Sequence, residues 1–215
     1  MKFSKMAITL YLSLTIATVQ AEGFFIGGDI GYVKSKSDVT IRDHYYYGYR
    51  DTNVDGKDST GGIGIKGGYD WGLWRAYGAY NYVAPAKNTV EQAGHRWENK
   101  WTTHDFVAGA DITPAITENF KLSAGAYIGL SVLNSEYRYK SPFRYHYYEE
   151  DVSQAGVVYG AKVGAIYQFM PKNAIEFGVK AERSDYADEE LWWDTEYLDR
   201  KRTNYGAFVG YTYTF

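Results

Sequence analysis

Apolar and polar residues alternate with period two along most of the chain, the spacing of a β-strand whose two faces meet different surroundings. Near the end, Tyr205, Ala207, Val209, Tyr211, Tyr213 and Phe215 share one face, and Gly206, Phe208, Gly210, Thr212 and Thr214 share the other. Between residues 120 and 132 a charge-free face of Phe120, Leu122, Ala124, Ala126, Ile128, Leu130 and Val132 alternates with Lys121, Ser123, Gly125, Tyr127, Gly129 and Ser131. The same pattern runs through 157–169, and Ile175, Phe177, Val179 and Ala181 oppose Glu176, Gly178, Lys180 and Glu182. These patterns predict eight strands at about 24–35, 59–70, 73–84, 101–113, 119–136, 153–169, 173–184 and 202–215. Three connections are short, around Asp70-Trp71-Gly72, Thr113 to Asn119, and Met170-Pro171-Lys172. Four are long, at about 36–58, 85–100, 137–152 and 185–201, and short and long strictly alternate. In an up-and-down barrel every other connection lies on one rim, so all short turns fall on one side and all long loops on the other.

The two faces decide which way the barrel is turned. An eight-stranded barrel has just enough interior room for its inward side chains. The bulky rings and branched residues of the charge-free faces would overfill it. Turned inside out, the apolar face meets lipid, and the face rich in glycine, with sparse charges, fills a narrow lumen. The expected architecture is all-β: an eight-stranded antiparallel up-and-down transmembrane β-barrel. The inward charges are then Asp29, Asp111, Glu176 and Glu182 against Lys66, Arg75, Lys121, Lys162 and Lys180. Charges in a narrow lumen must pair or hydrogen-bond, and near-equal numbers suggest an ion-paired network that plugs the barrel. The plainer alternative leaves some of them at wet rims. Trp71, Trp74 and Phe169 near the short turns, and Tyr80, Tyr82, Trp101, Tyr137, Tyr139 and Tyr205 near the long loops, are placed as two aromatic girdles.

The first 21 residues read as a cleaved signal peptide. Lys2 and Lys5 precede an uncharged stretch from Met6 to Thr18, and Val19 and Ala21 stand at −3 and −1 before Glu22. Residues 22–215 form the barrel domain, and signal removal takes the net charge from −3 to −5. The mature chain lacks an apolar run of the ~18 residues that mark a transmembrane helix. It has 23 tyrosines, 23 glycines and no cysteine. That excludes a disulfide scaffold and thiolate metal sites. The mildly acidic balance gives no support for a nucleic-acid partner, and none is expected.

The signal peptide, the opening strand Gly23-Phe24-Phe25-Ile26-Gly27-Gly28-Asp29-Ile30-Gly31-Tyr32, and the last strand ending at Phe215 together resemble one known family. These are the small eight-stranded outer-membrane barrels of Gram-negative bacteria, of the OmpA transmembrane-domain, OmpX and opacity-protein type. The resemblance covers essentially the whole mature chain. It implies residence in the outer membrane, contact with its lipid and lipopolysaccharide, and recognition of Val209, Tyr211, Tyr213 and Phe215 by the outer-membrane assembly machinery. The periplasmic peptidoglycan-binding domain of longer OmpA-type proteins has no counterpart here, so that function is not carried over.

No catalytic constellation emerges. A His-x-Ser pair of the lipid A deacylase type is absent after His44, His95, His104 and His146, and His104 and the adjacent Asp105 point to opposite faces. The chain is expected not to be an enzyme and to need no cofactor. The acidic stretch from Asp185 to Arg202 lacks EF-hand spacing and reads as a solvated loop rather than a calcium site. The long loops carry the remaining signal. Tyr45, Tyr46, Tyr47 and Arg50 in the first, Arg144, Tyr145, Tyr147 and Tyr148 in the third, and Trp192 and Trp193 in the fourth are residue types that dominate binding hot spots. They either form a binding face for an extracellular or host ligand, or pack on one another and on lipopolysaccharide. Two functions stand side by side: a closed barrel with a structural or surface-interaction and adhesion role, and a small porin-like channel. A soluble lipocalin-like carrier is disfavoured by the charge-free outward faces and the terminal Phe215.

Overall fold

A computed structural model describes residues 22–45, 48–92, 95–140, 147–186, 189–190 and 196–215. Within these, it describes the backbone alone at 38–45, 48–56, 88, 90–92, 95–97, 99, 137, 139–140, 147–150, 189–190 and 196–199. The expected signal segment, 1–21, lies outside the described residues.

The strands are β1 (Gly23–Tyr45), β2 (Gly48–Asp70), β3 (Trp74–Gln92), β4 (His95–Ile112), the three-residue β5 (Ala115–Thr117), β6 (Phe120–Lys140), β7 (Tyr147–Met170), β8 (Asn173–Tyr186), the two-residue β9 (Glu189–Glu190) and β10 (Glu196–Thr214). The eight long strands pair antiparallel in the order β1-β2-β3-β4-β6-β7-β8-β10, and β10 returns to β1 to close the barrel. That seam runs from Phe25 opposite Thr214 to Asp43 opposite Glu196. The Phe215 N–H donates to Phe24 O at 2.9 Å, which ties the chain end to the first strand. Closure removes the free edges of an open sheet and pairs the backbone groups of every wall strand, as a wall crossing lipid requires.

The three short turns and the chain end share one rim. At the first, Gly72 has φ 84°, a left-handed conformation that favours glycine. Its N–H donates to Asp70 Oδ1 at 2.7 Å. Thr113 N–H donates to Leu73 O at 2.8 Å, which ties the second turn to the first.

Side-chain direction reverses the pattern of a soluble protein. Ile30, Ile65, Ile128, Leu130, Val163 and Val179 are each more than half exposed on the outside of the wall. Arg75, Asp111, Lys66, Lys162 and Glu176 are buried within it. Outward positions 24–32, 61–69, 74–82, 104–112, 120–132, 157–169, 175–181 and 205–215 hold no Asp, Glu, Lys or Arg. On β1 this charge-free span is nine residues, the ~9–11 that a tilted strand needs to cross a bilayer. Trp71, Trp74, Tyr167, Phe169, Tyr211 and Phe215 ring its short-turn edge, all exposed. Tyr32, Tyr80, Tyr82, Phe106 and Tyr205 mark the other edge.

Above that second edge the structure departs from the expected loops. β1 and β2 are 23 residues each, and Tyr45 still opposes Gly48. β3 and β4 pair out to Gln92 opposite His95, and β6 and β7 to Lys140 opposite Tyr147. The expected loops at 36–58, 85–100 and 137–152 are therefore mostly ladder. A hairpin that has left the bilayer is wet on both faces, so its residues lose the alternation that reveals a strand.

The wall also parts as it rises. β2 and β3 stay paired only from Asp70–Arg75 to Gly62–Val83. Beyond that point Pro85 sits in an irregularity between Val83 and Ala86, where its missing N–H is harmless. Side chains bridge the parting strands: Thr60 Oγ1 donates to Ala84 O at 2.9 Å, and Lys87 N–H donates to Asp58 Oδ2 at 2.7 Å. On the opposite side the β7–β8 ladder runs up to Gly156 opposite Tyr186, where β8 ends.

Candidate functional site: the lumen and the outer rim

Alternation along β2, β3, β4, β7 and β8 brings five charged side chains together inside the short-turn half of the barrel. Glu176 is the hub. Its Oε2 lies 2.7 Å from Lys66 Nζ and 3.1 Å from Arg75 Nη2, and its Oε1 lies 3.4 Å from Lys162 Nζ. Asp111 Oδ2 is shared by Arg75 Nη2 at 2.7 Å and Lys162 Nζ at 3.1 Å. Rings flank the cations: Arg75 lies 5.3 Å from the Phe25 centroid and Lys162 lies 4.4 Å from that of Tyr77. Nearer the short turns, Lys121 Nζ sits 3.8 Å from Asp70 Oδ2 and 3.5 Å from Gly72 O. The cavity at this mouth has a volume of about 30 Å³, room for about two water molecules.

A second polar layer lies above the first. Glu182 accepts from Tyr127 OH at 2.9 Å and from Asn204 Nδ2 at 2.7 Å. Arg202 Nη2 lies 3.9 Å from Glu182 and 3.8 Å from Asp105, and Arg202 also donates to Thr103 Oγ1. Ser131 Oγ donates to Asp105 at 2.5 Å and shares a hydrogen bond with Tyr186 OH at 2.9 Å. This layer is looser than the first: Asp105 Oδ2 and Asn204 Oδ1 are buried without a hydrogen-bond partner among the described residues, against Asp111 Oδ1 alone in the first cluster. Val107, Tyr127 and Val158 form an apolar cluster in the middle of the lumen. A second one, of Ala86, Trp101, Leu133 and Tyr186, lies toward the long hairpins, with Arg200 Nη1 donating to Ser135 Oγ at 2.8 Å.

Of the nine charges assigned to the lumen from sequence, Lys66, Arg75, Asp111, Lys162 and Glu176 meet in one cluster. Lys121 stands at the short-turn mouth and Glu182 in the second layer. Asp29 faces inward on β1, with its carboxylate beside Gly64 and Gly210 rather than in the cluster. Lys180 is half-buried, near enough to Glu182 and Asp105 to interact electrostatically with both. Asp105, Arg202, Arg200 and Asn204 were not singled out from sequence, yet all are buried inside. The signal was available: the odd phase that puts Asp111 inward also puts Asp105 inward, and the even phase of Phe208 leads back to Asn204, Arg202 and Arg200. Trp101 corrects the girdle assignment. It shares the inward phase of Thr103 and Asp105, is only 6% exposed, and belongs to the second apolar cluster.

The assembly-signal residues Val209, Tyr211 and Phe215 are exposed on the outer face of β10, with Tyr213 half-buried among them. Phe215 packs edge-on against Tyr213, at 5.3 Å between centroids. The candidate binding residues Tyr46, Tyr47, Arg144, Tyr145, Trp192 and Trp193 lie outside the described residues. Tyr45, Arg50, Tyr147 and Tyr148 fall on described strand backbone at the hairpin tips, with their side chains left aside. In the acidic stretch, Asp185 accepts from Arg183 at 3.3 Å and from Tyr159 OH at 3.4 Å. Among the described residues, no group of three or more His, Asp or Glu is arranged to hold a metal ion.

No protein-family model matches the chain, and no curated protein matches it in sequence. Solved structures match its shape. Neisserial surface protein A aligns with 90% of this chain and 97% of its own, at 15% identity and a TM-score of 0.52. OprG, an outer membrane protein of Pseudomonas aeruginosa, aligns over 91% and 97%, at 13% identity and a TM-score of 0.47. Ail, the attachment invasion locus protein of Yersinia pestis, aligns over 90% and 100%, at 17% identity and a TM-score of 0.46; it has also been solved with the heparin analogue sucrose octasulfate. The fold is that of the small eight-stranded barrels of the Gram-negative outer membrane.

Proposed function

We propose that this chain works as a closed outer-membrane barrel that holds long hairpins above the cell surface, with a structural or surface-interaction role and no catalytic one. The observation that carries the closed reading is the lumen cluster. Glu176 and Asp111 are each held by at least two of three buried cations, so the cross-section there is filled by mutually paired side chains. Moving an ion along that path would require separating pairs in a low-dielectric interior, where an unpaired charge costs several kcal/mol. The apolar cluster around Trp101 and Leu133 fills part of the interior nearer the hairpins. The surface-interaction reading is supported by the hairpins. Strands of 23 residues with a charge-free span of about ten place more than half of β1 and β2 beyond the lipid, and tyrosine and arginine concentrate toward their tips.

As to catalysis, His104 is the one histidine whose side chain is described. It faces outward and shares a 2.8 Å hydrogen bond with Tyr80 OH. Among the described residues it has no carboxylate or serine hydrogen-bond partner, so it reads as an interface side chain.

Planar-bilayer recording tests the closed lumen: the purified protein is expected to add no stepwise conductance, and reproducible steps would replace this reading with that of a channel. Location is tested separately by membrane fractionation. The protein should band with the outer membrane and migrate differently in SDS gels before and after boiling; recovery as a soluble periplasmic protein would refute it.

A further inference from the structure

The cavity at the short-turn mouth is lined by donors that lack acceptors. Arg75, Lys121 and Thr212 line it, and all three are more than nine-tenths buried. Lys121 Nζ has Gly72 O at 3.5 Å and Asp70 Oδ2 at 3.8 Å, both beyond the ~2.7–3.2 Å of a good N–H···O bond. Arg75 spends Nε and Nη2 on Asp111 and Glu176, and its Nη1 has no hydrogen-bond partner among the described residues. Thr212 Oγ1 is buried and has none among them either. The carboxylate in the lining is that of Asp70, and its Oδ1 already accepts from Gly72 N–H. Buried donors of this kind call for an acceptor.

Charge points the same way. The lining carries three cations, Arg75, Lys121 and Lys172, and one carboxylate, Asp70. Arg75 is paired inward, yet Asp111 and Glu176 also serve Lys66 and Lys162, and three cations against two carboxylates leave one positive charge over in that cluster. Glu22 is exposed beside Gly72 at the rim and does not line the cavity. Ile166 and Ala174 add apolar wall next to the charges, which strengthens any ionic contact inside. The space sets the size of the occupant. About 30 Å³ takes a monatomic ion, and the four oxygens of a phosphate or sulfate do not fit. Water fits as well, but a water among Lys121, Arg75 and Thr212 must turn its own hydrogens toward cations, whereas an anion accepts from all three.

We infer that this cavity seats a chloride-sized monovalent anion, bound by Lys121, Arg75 and Thr212, which supplies the acceptor and the negative charge that the short-turn mouth lacks. The site deepens the closed-lumen reading and rests on it, since an anion held there completes the plug at its short-turn end.

Urea unfolding of the full mature protein in lipid vesicles tests it, at constant pH and ionic strength, with sodium gluconate replaced stepwise by sodium chloride. An ion that binds only the folded state raises the folded-to-unfolded ratio by one plus its concentration over Kd, and the wild-type ratio is expected to rise about tenfold by ~0.2 M chloride. Thr212→Val and Lys121→Met should each hold that rise below about twofold. Ser184→Ala, which removes a buried hydroxyl of β8 away from the cavity, should leave it unchanged. The heat-dependent gel shift checks that each variant is folded, and Thr212→Val, close in shape to the wild type, carries the test if Lys121→Met does not fold. In crystals grown with bromide, an anomalous peak is expected between Lys121, Arg75 and Thr212. No chloride-dependent rise in the wild type, an equal rise in Thr212→Val, or water alone at that position in bromide would overturn the site. Stepwise conductance in planar bilayers would remove the closed-lumen reading beneath it; a silent bilayer with no chloride response removes only the anion.

Discussion

Glu176 is the side chain on which most of the interior depends. It faces three cations, and its side chain is fully buried. Glu176→Gln leaves Arg75 and Lys162 with Asp111 and takes from Lys66 its one close carboxylate among the described residues, and should destabilise the barrel by about 3–5 kcal/mol, the usual effect of breaking a buried pair. Asp105→Asn should cost about 1 kcal/mol, because its ion pair with Arg202 is long, at 3.8 Å, and an amide oxygen can still accept from Ser131. Urea unfolding in lipid vesicles measures both; equal losses would show that the two layers are not ranked as their distances indicate. Glycine matters where rings cross the lumen. A Cβ at Gly160 would stand 2.6 Å from the ring of Tyr127, the residue that donates to Glu182. Gly160→Val should therefore displace that ring and cost about 1–3 kcal/mol in the same assay. Glu176, Asp111 and Lys162 were legible as inward residues from alternation alone. Asp105 was not, because in the sequence it stood out only as the neighbour of His104.

At the scale of elements, each strand divides into a lipid-crossing part and a projecting part. Val163 is central to the outward run of β7, from Val157 to Phe169, and is 55% exposed. Val163→Arg should destabilise by about 2–4 kcal/mol, the cost of arginine at the lipid midplane; a loss below ~1 kcal/mol would show that this face does not meet lipid. The projecting part answers to different rules. Cutting the β1–β2 hairpin at the Ser37–Gly56 pair and closing it with Asn-Gly, a two-residue hairpin turn, should leave the heat-dependent gel shift intact. Loss of that shift would show that the barrel needs the projection to fold. These extensions escaped the sequence reading for a physical reason. The period-two signal comes from the contrast between lipid and lumen, and it fades where both faces meet water.

At the scale of the whole molecule, orientation is testable. With the short turns and the chain end on one rim and the hairpins on the other, protease added to intact cells should cut only within the hairpins, and sites near Trp71 or Pro171 should be reached only after the membrane is opened. Cleavage at the short turns in intact cells would invert the molecule. The sequence by itself determined that the chain alternates, that its turns are short and long by turns, and that its bulky charge-free faces are too large for an eight-stranded interior. These follow from local geometry, because successive side chains on a strand point to opposite sides whatever the strand pairs with. Only the tertiary structure decided which inward charges meet, that Trp101 packs inside against Leu133 instead of marking the rim, and that polar residues of β4, β6 and β7 lie side by side. Those outcomes depend on register and closure, which bring together residues as far apart as Lys66 and Glu176. No local pattern carries that information, since sliding one strand against its neighbour by two residues keeps every face and changes every partner.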